Sequence, residues 1–159
     1  MTEAHLFHGT FTLNRVWAAR ADRVFEAWSD PHLKAQWFTG PAERWSLVRH
    51  SMDFRVGGRA VLEGRFNESG MVTLFEARFH AIEPARRLVY AYDLHHCGRF
   101  HSATLSSLQL EPEGNGTRVS YTEQIVFLDG KDGTEDRRRG TAFQFDQREN
   151  ALRACGAMQ

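Results

Sequence analysis

The order of hydrophobic and polar positions along the chain predicts one strand, two short helices, six further strands and a long final helix. Residues 7–17 alternate apolar with polar side chains, which is typical of a strand with one buried face. The segment 24–38, VFEAWSDPHLKAQWF, repeats its apolar side chains at helical spacing instead. Within it, Asp30 and Pro31 end one helix and begin the next, because Asp caps helix N-termini and Pro suits the first helical position. We therefore expect a helix pair inserted between the first strand and a large sheet.

The middle of the chain predicts a sheet made of consecutive strands. Apolar side chains recur there at every second position, and turns rich in glycine, asparagine and proline separate the runs. Strands that are joined by such short turns pair in antiparallel order. The predicted strands cover residues 43–54, 59–66, 75–84, 88–94, 100–110 and 117–127.

The C-terminal segment predicts the helix that covers this sheet. Residues 132–136 carry a capping side chain and acids that suit a helix N-terminus. Thr141, Phe145, Leu152 and Cys155 then recur at helical spacing, and Arg148 falls on the same stripe. Because an antiparallel sheet needs its apolar face covered, we expect this helix to lie across it.

Composition indicates a globular chain with balanced charge. Its 159 residues suit one domain, which we expect to span residues 1–159. Twenty basic residues balance twenty acidic ones, so no electrostatic argument favours nucleic acid or an anionic membrane. No run approaches the roughly 20 apolar residues of a membrane span, and the N-terminus lacks the regions of a signal peptide. Two cysteines, Cys97 and Cys155, cannot form a disulfide framework, so we expect a cytoplasmic protein.

Four motifs resemble those of a known family and occur in that family's order. The segments VFEAWSDPHLKAQWF, MDFRVGGRAVLE, IEPARRLVYAY and GNGTRVSYTEQIVFLDG are similar to motifs of the activator of heat-shock-protein-90 ATPase homologue-like family. This family belongs to the START-like (SRPBCC) superfamily, and the resemblance covers about residues 11–152. It implies an α+β helix-grip fold of the START/Bet v-like kind. In that fold a curved antiparallel sheet, with two short helices after its first strand, wraps a long C-terminal helix that crosses its concave face.

The resemblance also implies a function. Members of the family bind or process small, mostly apolar molecules in a cavity between the sheet and the helix. We therefore expect a small apolar or aromatic ligand and a homodimer, with no catalytic residue, metal or cofactor, and neither nucleic acid nor a membrane as partner. The family name comes from co-chaperones, but without their N-terminal chaperone-binding module a chaperone partner is not expected. An interaction module and an enzyme of the cyclase/aromatase kind remain the alternatives, and the enzyme would use Glu123, Tyr121 and His101.

A polar side chain at a buried strand position marks the candidate site. The last hairpin can pair Leu110 with Val119, and in that register Ser106 lies opposite Glu123. A buried carboxylate has to be paired, hydrated or protonated, and Arg148 on the covering helix is the candidate partner. A purely structural ion pair and a shifted register that turns Glu123 to solvent stay open. The expected ligand-binding residues are Trp37, Tyr90, Tyr92, Thr104, Ser106, Tyr121, Glu123 and Arg148.

Aromatic residues in and after the helix pair are candidates for the mouth of the cavity. They are Trp28, Trp37, Phe38 and Trp45. Ordinary core packing is the alternative for them, because aromatic side chains bury large areas in any domain of this size. We choose Trp37 as the wall of the pocket, since it lies at the end of the helix pair.

Two polar groups are expected to lie in solvent. Zinc-ligand types occur together at His95, His96, Cys97 and His101. Adjacent histidines point to opposite sides of a strand, however, and no metal-binding spacing is present, so we expect a hairpin without a metal. The basic run 137–139 is interpreted as a solvated face of the last helix.

Overall fold

The computed structural model describes residues 5–37 and 43–156 and confirms the predicted helix-grip α+β fold. Phe38, a candidate for the cavity mouth, lies outside the described residues. The elements are β1 (Phe7–Trp17), α1 (Ala21–Ser29), α2 (Pro31–Trp37), β2 (Trp45–Met52), β3 (Arg59–Phe66), β4 (Val72–Glu83), β5 (Arg87–His96), β6 (Arg99–Glu113), β7 (Gly116–Phe127) and α3 (Thr134–Ala154). None of the helices within these described ranges has the length and apolar character that a membrane span needs.

The described strands form one curved antiparallel sheet in the order β1-β7-β6-β5-β4-β3-β2. Strands β2 to β7 follow one another as the predicted meander, and β1 completes the sheet beside β7. The β6–β7 hairpin pairs Leu110 with Val119. In the same hairpin Ser106 lies opposite Glu123, which confirms the register on which the candidate site depends.

A capping side chain begins α2, and a turn closed by an aspartate side chain precedes α3. The Oδ1 atom of Asp30 accepts a hydrogen bond of 2.9 Å from the backbone N–H of His32 and so caps α2, which begins at Pro31. At the start of α3, Asp132 accepts one of 3.0 Å from the backbone N–H of Thr134. Both turns are therefore stabilised by the residues that the sequence marks as helix starts.

The long helix α3 rests on one side of the fold. It contacts α1, α2 and β1, and the ring of its Phe145 meets the ring of Trp28 edge-on, with 5.8 Å between centroids. Phe145 and Leu152 are fully buried, as their helical spacing predicts. Cys155, which the same spacing places on this stripe, is exposed instead, because α3 ends at Ala154. Because the support comes from this side, space remains between α3 and the central strands of the sheet.

Candidate functional site

A cavity of about 590 Å³ lies between the inner face of the sheet and α3. Its apolar wall comes from α2 and strands β2 to β4, and includes Trp37, Trp45, Leu62 and Phe75. Gly64 of β3 makes room for this wall, because a Cβ atom there would overlap the indole ring of Trp45. Strands β5 and β7 and helix α3 form the other wall, which carries polar groups.

The polar wall centres on the carboxylate of Glu123, which is 2% exposed. Its Oε2 atom accepts a hydrogen bond of 2.7 Å from the Tyr92 hydroxyl and one of 2.6 Å from the Tyr121 hydroxyl. The Tyr90 hydroxyl lies 3.0 Å from that of Tyr121. Because Tyr121 donates its single proton to Glu123, Tyr90 is the donor in this contact. Strands β5 and β7 thus hold three hydroxyls and one carboxylate in a connected arrangement.

Arg137 in the first turn of α3 supplies the cation of this wall. Its Nη1 atom donates to the Tyr92 hydroxyl at 2.8 Å and to Thr104 Oγ1 at 3.0 Å, while Nη2 donates to Ser102 Oγ at 2.5 Å. The same Nη1 atom lies 3.5 Å from Glu123 Oε1, and only 11% of the Arg137 side chain is exposed. We define the Glu123 cluster as Glu123, Tyr90, Tyr92, Tyr121 and Arg137.

The position of Arg137 corrects two predictions. The basic run 137–139 is not a uniformly solvated face, because Arg137 turns to the sheet while 70% of the Arg139 side chain is exposed. The predicted pairing of Glu123 with Arg148 is also wrong, since the ion-pair partner of Glu123 is Arg137. The first turn of α3 lies over Tyr92, a neighbour of Glu123, whereas Arg148 lies three helical turns further on.

Arg148 is instead buried among aromatic rings. Its guanidinium carbon lies 3.5 Å from the ring centroid of Trp37, 4.3 Å from that of Trp28 and 4.8 Å from that of Phe145. The residue is 2% exposed, and its Nε and Nη1 atoms have no hydrogen-bond partner among the described residues. Burial lowers the pKa of Arg148 to about 10. The ring contacts are favourable cation–π interactions, but they leave these two donors unsatisfied.

Lys34 of α2 is a second buried cation in the cavity wall. The residue is 5% exposed, and its Nζ atom lies 3.7 Å from the Met52 Sδ atom. Burial, and after it the charge of Arg148, lower the pKa of Lys34 to about 7. Ammonium and amine forms of this side chain therefore coexist near neutral pH.

The tyrosines of the Glu123 cluster stay protonated at neutral pH. Burial raises the pKa of Tyr92 and of Tyr121 well above the usual value, and the charge of Glu123 raises both further. Burial also raises the pKa of Tyr90. All three hydroxyls therefore keep the protons that they donate within the cluster.

The structure brings six of the eight predicted ligand-binding residues to the surface of the cavity. They are Trp37, Tyr90, Tyr92, Tyr121, Glu123 and Arg148. Thr104 and Ser106 are buried behind the tyrosines rather than in the wall. Thr104 accepts a hydrogen bond from Arg137, and Ser106 Oγ lies 3.0 Å from the Tyr121 hydroxyl, so both hold the cluster in position.

Two cavity cations, Arg137 and Lys34, are absent from the predicted site. Their spacing from buried helical residues is the feature of the sequence that indicates their positions. Arg137 precedes Thr141 by four residues and therefore lies on the buried stripe that also carries Arg148. Lys34 precedes Trp37 by three residues and shares its helical face.

The remaining aromatic and histidine candidates divide between the core and the cavity mouth. Trp28 stacks on Trp17 in the core, with 6.2 Å between ring centroids. At the mouth, the rings of His96 and His101 stack at 4.3 Å, and His101 Nε2 lies 3.3 Å from Asp129 Oδ2. Within residues 5–37 and 43–156, no three His, Cys, Asp or Glu side chains are grouped closely enough to hold a metal ion.

Comparison with known proteins gives a match to one family. A family model described as "Activator of Hsp90 ATPase homolog 1-like protein" matches residues 18–155. That match covers the helix pair, the six strands that follow it and α3. No curated protein matches the chain.

Solved structures match over almost the whole chain. An uncharacterized protein from Rhizobium leguminosarum is 34% identical, with a TM-score of 0.89 and 96% of this chain and 99% of that chain covered. The Mll3558 protein from Rhizobium loti is 33% identical, with a TM-score of 0.85 and coverages of 93% and 99%. An AHSA1-like protein from Aeromonas hydrophila is 20% identical, with a TM-score of 0.73 and coverages of 95% and 96%, and this likeness shows the fold alone.

Proposed function

The chain belongs to the Activator of Hsp90 ATPase homolog 1-like family, and from this membership and the cavity we propose that it binds a small molecule between its sheet and α3. The observation that carries the proposal is the Glu123 cluster, a set of buried and mutually hydrogen-bonded polar side chains along one wall of a cavity whose opposite wall is largely aromatic. Small-molecule sites are typically cavities of about 300–1,000 Å³ with a few placed polar groups on apolar walls. A volume of about 590 Å³ falls within that range.

The body of the ligand packs against the aromatic wall. Trp37 and Trp45 present ring surfaces there, and the ring of Phe75 lies 4.7 Å from that of Tyr92. The aromatic surface therefore continues from the apolar wall to the Glu123 cluster. Flat rings offer large contact areas with little loss of side-chain freedom, which favours an aromatic or similarly flat apolar molecule.

The Glu123 cluster orients the polar group of the ligand. Its hydroxyls are already held by hydrogen bonds of 2.6–3.0 Å, so little conformational entropy is lost when a ligand binds. Arg137 adds N–H donors that are fixed on the Tyr92, Thr104 and Ser102 oxygens. The cluster thus selects a ligand that places a hydrogen-bonding group at this end of the cavity.

The same geometry favours binding over acid–base catalysis. The Oε2 atom of Glu123 is already engaged by two hydroxyls, and the raised pKa of Tyr121 keeps its proton in place. A general acid or base works best when its pKa lies near the operating pH. His101, the third residue of the enzyme alternative, lies at the mouth beside Asp129, and burial lowers its pKa below the ordinary 6.5.

A binding screen with a matched pair of variants tests the proposal. Native mass spectrometry and calorimetry on a panel of aromatic molecules should find a ligand that binds with one-to-one stoichiometry. Glu123→Gln should weaken that ligand about 10-fold or more, the loss expected from one charge-assisted hydrogen bond. The control is Glu113→Gln, whose exposed ion pair with Arg118 lies outside the cavity, and it should bind as the wild type does.

Two results would contradict the proposal in different ways. Absence of stoichiometric binding across the whole panel would remove the binding function. A ligand that binds Glu123→Gln as tightly as the wild type would leave the function in place and remove Glu123 from the site.

A further inference from the structure

The end of the cavity beside Trp37 holds a positive charge that has no counter-charge of its own among residues 5–37 and 43–156. Arg148 is 2% exposed, and its Nε and Nη1 atoms have no hydrogen-bond partner among the described residues. Glu123 cannot serve it as a dedicated partner, because that carboxylate is engaged by Tyr92, Tyr121 and Arg137. An unpaired charge in a protein interior is strongly unfavourable, so a ligand that pairs with it has much to gain.

The buried charges of the cavity do not balance. Among the described lining residues, the cations Lys34 and Arg148 are 5% and 2% exposed, and Arg137 is a third, nearly buried cation. In the described part of the lining, they face one buried carboxylate, that of Glu123. Acids at the mouth such as Asp129 are exposed, and water and salt screen their charge. The buried end therefore carries an excess of positive charge.

Stacking on Trp37 occupies a face of the Arg148 guanidinium and leaves its N–H edge clear of that ring. The ring centroid of Trp37 lies 3.5 Å from the guanidinium carbon, so the ring covers a face of the guanidinium. The N–H groups point outward in the plane of the guanidinium, away from that face. Arg148 lines the cavity, so its guanidinium borders the space that a ligand occupies, with the Nε and Nη1 atoms buried at that border.

We propose that the small molecule bound in this cavity carries a carboxylate and that Arg148 binds this carboxylate. The proposal deepens the function proposed above and rests on it. A carboxylate is planar and accepts two parallel N–H donors from one guanidinium, which gives direction as well as strength. The neighbouring ammonium form of Lys34 adds a second attractive charge. The Trp37 ring, which stacks on Arg148 and lines the cavity, places an aromatic surface beside the anion site, so the ligand is an aromatic carboxylic acid.

A comparison of acids with their amides tests the charge requirement on the unaltered protein. The probes are benzoate, naphthoate and indole-acetate, each paired with its primary amide, and calorimetry at neutral pH and physiological salt gives both affinities. The amide keeps the shape of the acid but lacks the charge. We expect each acid that binds to do so about 10-fold or more tightly than its amide.

The variant Arg148→Met then assigns the charge requirement to its residue. It should reduce the affinity for the acid to that for the amide and leave the affinity for the amide unchanged. The matched control is Arg153→Met on the same helix, where 61% of the side chain is exposed, and it should keep the preference for the acid.

Three outcomes separate this inference from the function on which it rests. Equal affinities for acids and amides in the wild type would overturn the inference and leave the binding function standing. A preference for the acid that survives in Arg148→Met would also overturn it, because the carboxylate would then bind elsewhere. Failure of all acids and all amides to bind would refute the binding function and this inference with it.

Discussion

Replacing Glu123 by Gln removes the charge at the centre of the Glu123 cluster while keeping the size and shape of the side chain. The Tyr92 and Tyr121 hydroxyls, at 2.7 and 2.6 Å, can still donate to the amide oxygen. Each bond then changes from a charge-assisted bond to a neutral one. Arg137, 3.5 Å from the carboxylate, loses its counter-charge.

The expected loss of stability follows from these contacts. Charge-assisted hydrogen bonds contribute about 1.5–3 kcal/mol and neutral ones about 0.5–1.5 kcal/mol, so two such bonds lose about 2 kcal/mol together. Arg137 still donates to the oxygens of Tyr92, Thr104 and Ser102. The loss of its counter-charge therefore destabilises the protein by less than the roughly 3–5 kcal/mol of a fully unpaired buried charge. If the unpaired charge of Arg137 costs about 1 kcal/mol, Glu123→Gln should lower the free energy of unfolding by about 3 kcal/mol in total. In a chain of this length that lowers Tm by about 6–12 °C.

Urea unfolding followed by tryptophan fluorescence measures this loss. The exposed control Glu113→Gln should change the free energy of unfolding by no more than about 0.5 kcal/mol. A double-mutant cycle with Arg137→Gln should give a coupling energy of about 1 kcal/mol or more, because the two side chains share a network. A loss below about 0.5 kcal/mol for Glu123→Gln, or single effects that simply add, would refute the central role of the carboxylate.

Three further predictions concern the cavity walls. Arg148→Met removes a buried guanidinium with unsatisfied donors and should raise the free energy of unfolding in urea by about 1–3 kcal/mol; a clear loss would mean that ring stacking outweighs the cost of the charge. Lys34 has a folded pKa of about 7 against the ordinary 10.5, so folding releases its proton between these values and stability rises with pH by up to about 1.4 kcal/mol per unit. In Lys34→Met this rise should be flatter between about pH 7.5 and 9.5 in urea titrations, and an unchanged slope would contradict the shift. Gly64→Ala drives a Cβ atom into the ring of Trp45 and should cost about 1–3 kcal/mol with a change in tryptophan emission, whereas an unchanged unfolding midpoint would contradict the close approach.

The strand register could be predicted because it depends on local spacing. A short turn fixes which residues face each other across a hairpin, and every later pair follows at a constant sum of residue numbers. Leu110 opposite Val119 therefore already implies Ser106 opposite Glu123, as the structure has it. The inward direction of Glu123 follows from the same alternation that buries Tyr121.

The cations of the site could not be assigned from the sequence because their partners depend on how the helices lie over the sheet. Charged side chains are exposed in most proteins, and that expectation hides Arg137 and Lys34. A shift of one helical turn, about 5.4 Å, changes which arginine of α3 reaches Glu123. Sequence periodicity places Arg137 and Arg148 on one face but does not give this offset.

The separation of the two arginines along α3 explains why one is paired and the other is not, and it yields a test of what Arg148 is for. Arg137 and Arg148 lie eleven residues apart, which is about 16 Å along a helix at nearly the same angular position, so the one carboxylate of Glu123 cannot pair fully with both. The hydrogen bonds that Arg148 lacks among the described residues are those that an anionic ligand supplies. An arginine that is retained for binding lowers the stability of the unliganded protein, and the ligand restores it by mass action. Arg148→Met should therefore gain stability and lose affinity for acids, whereas a structural arginine in the same place would lose stability on substitution.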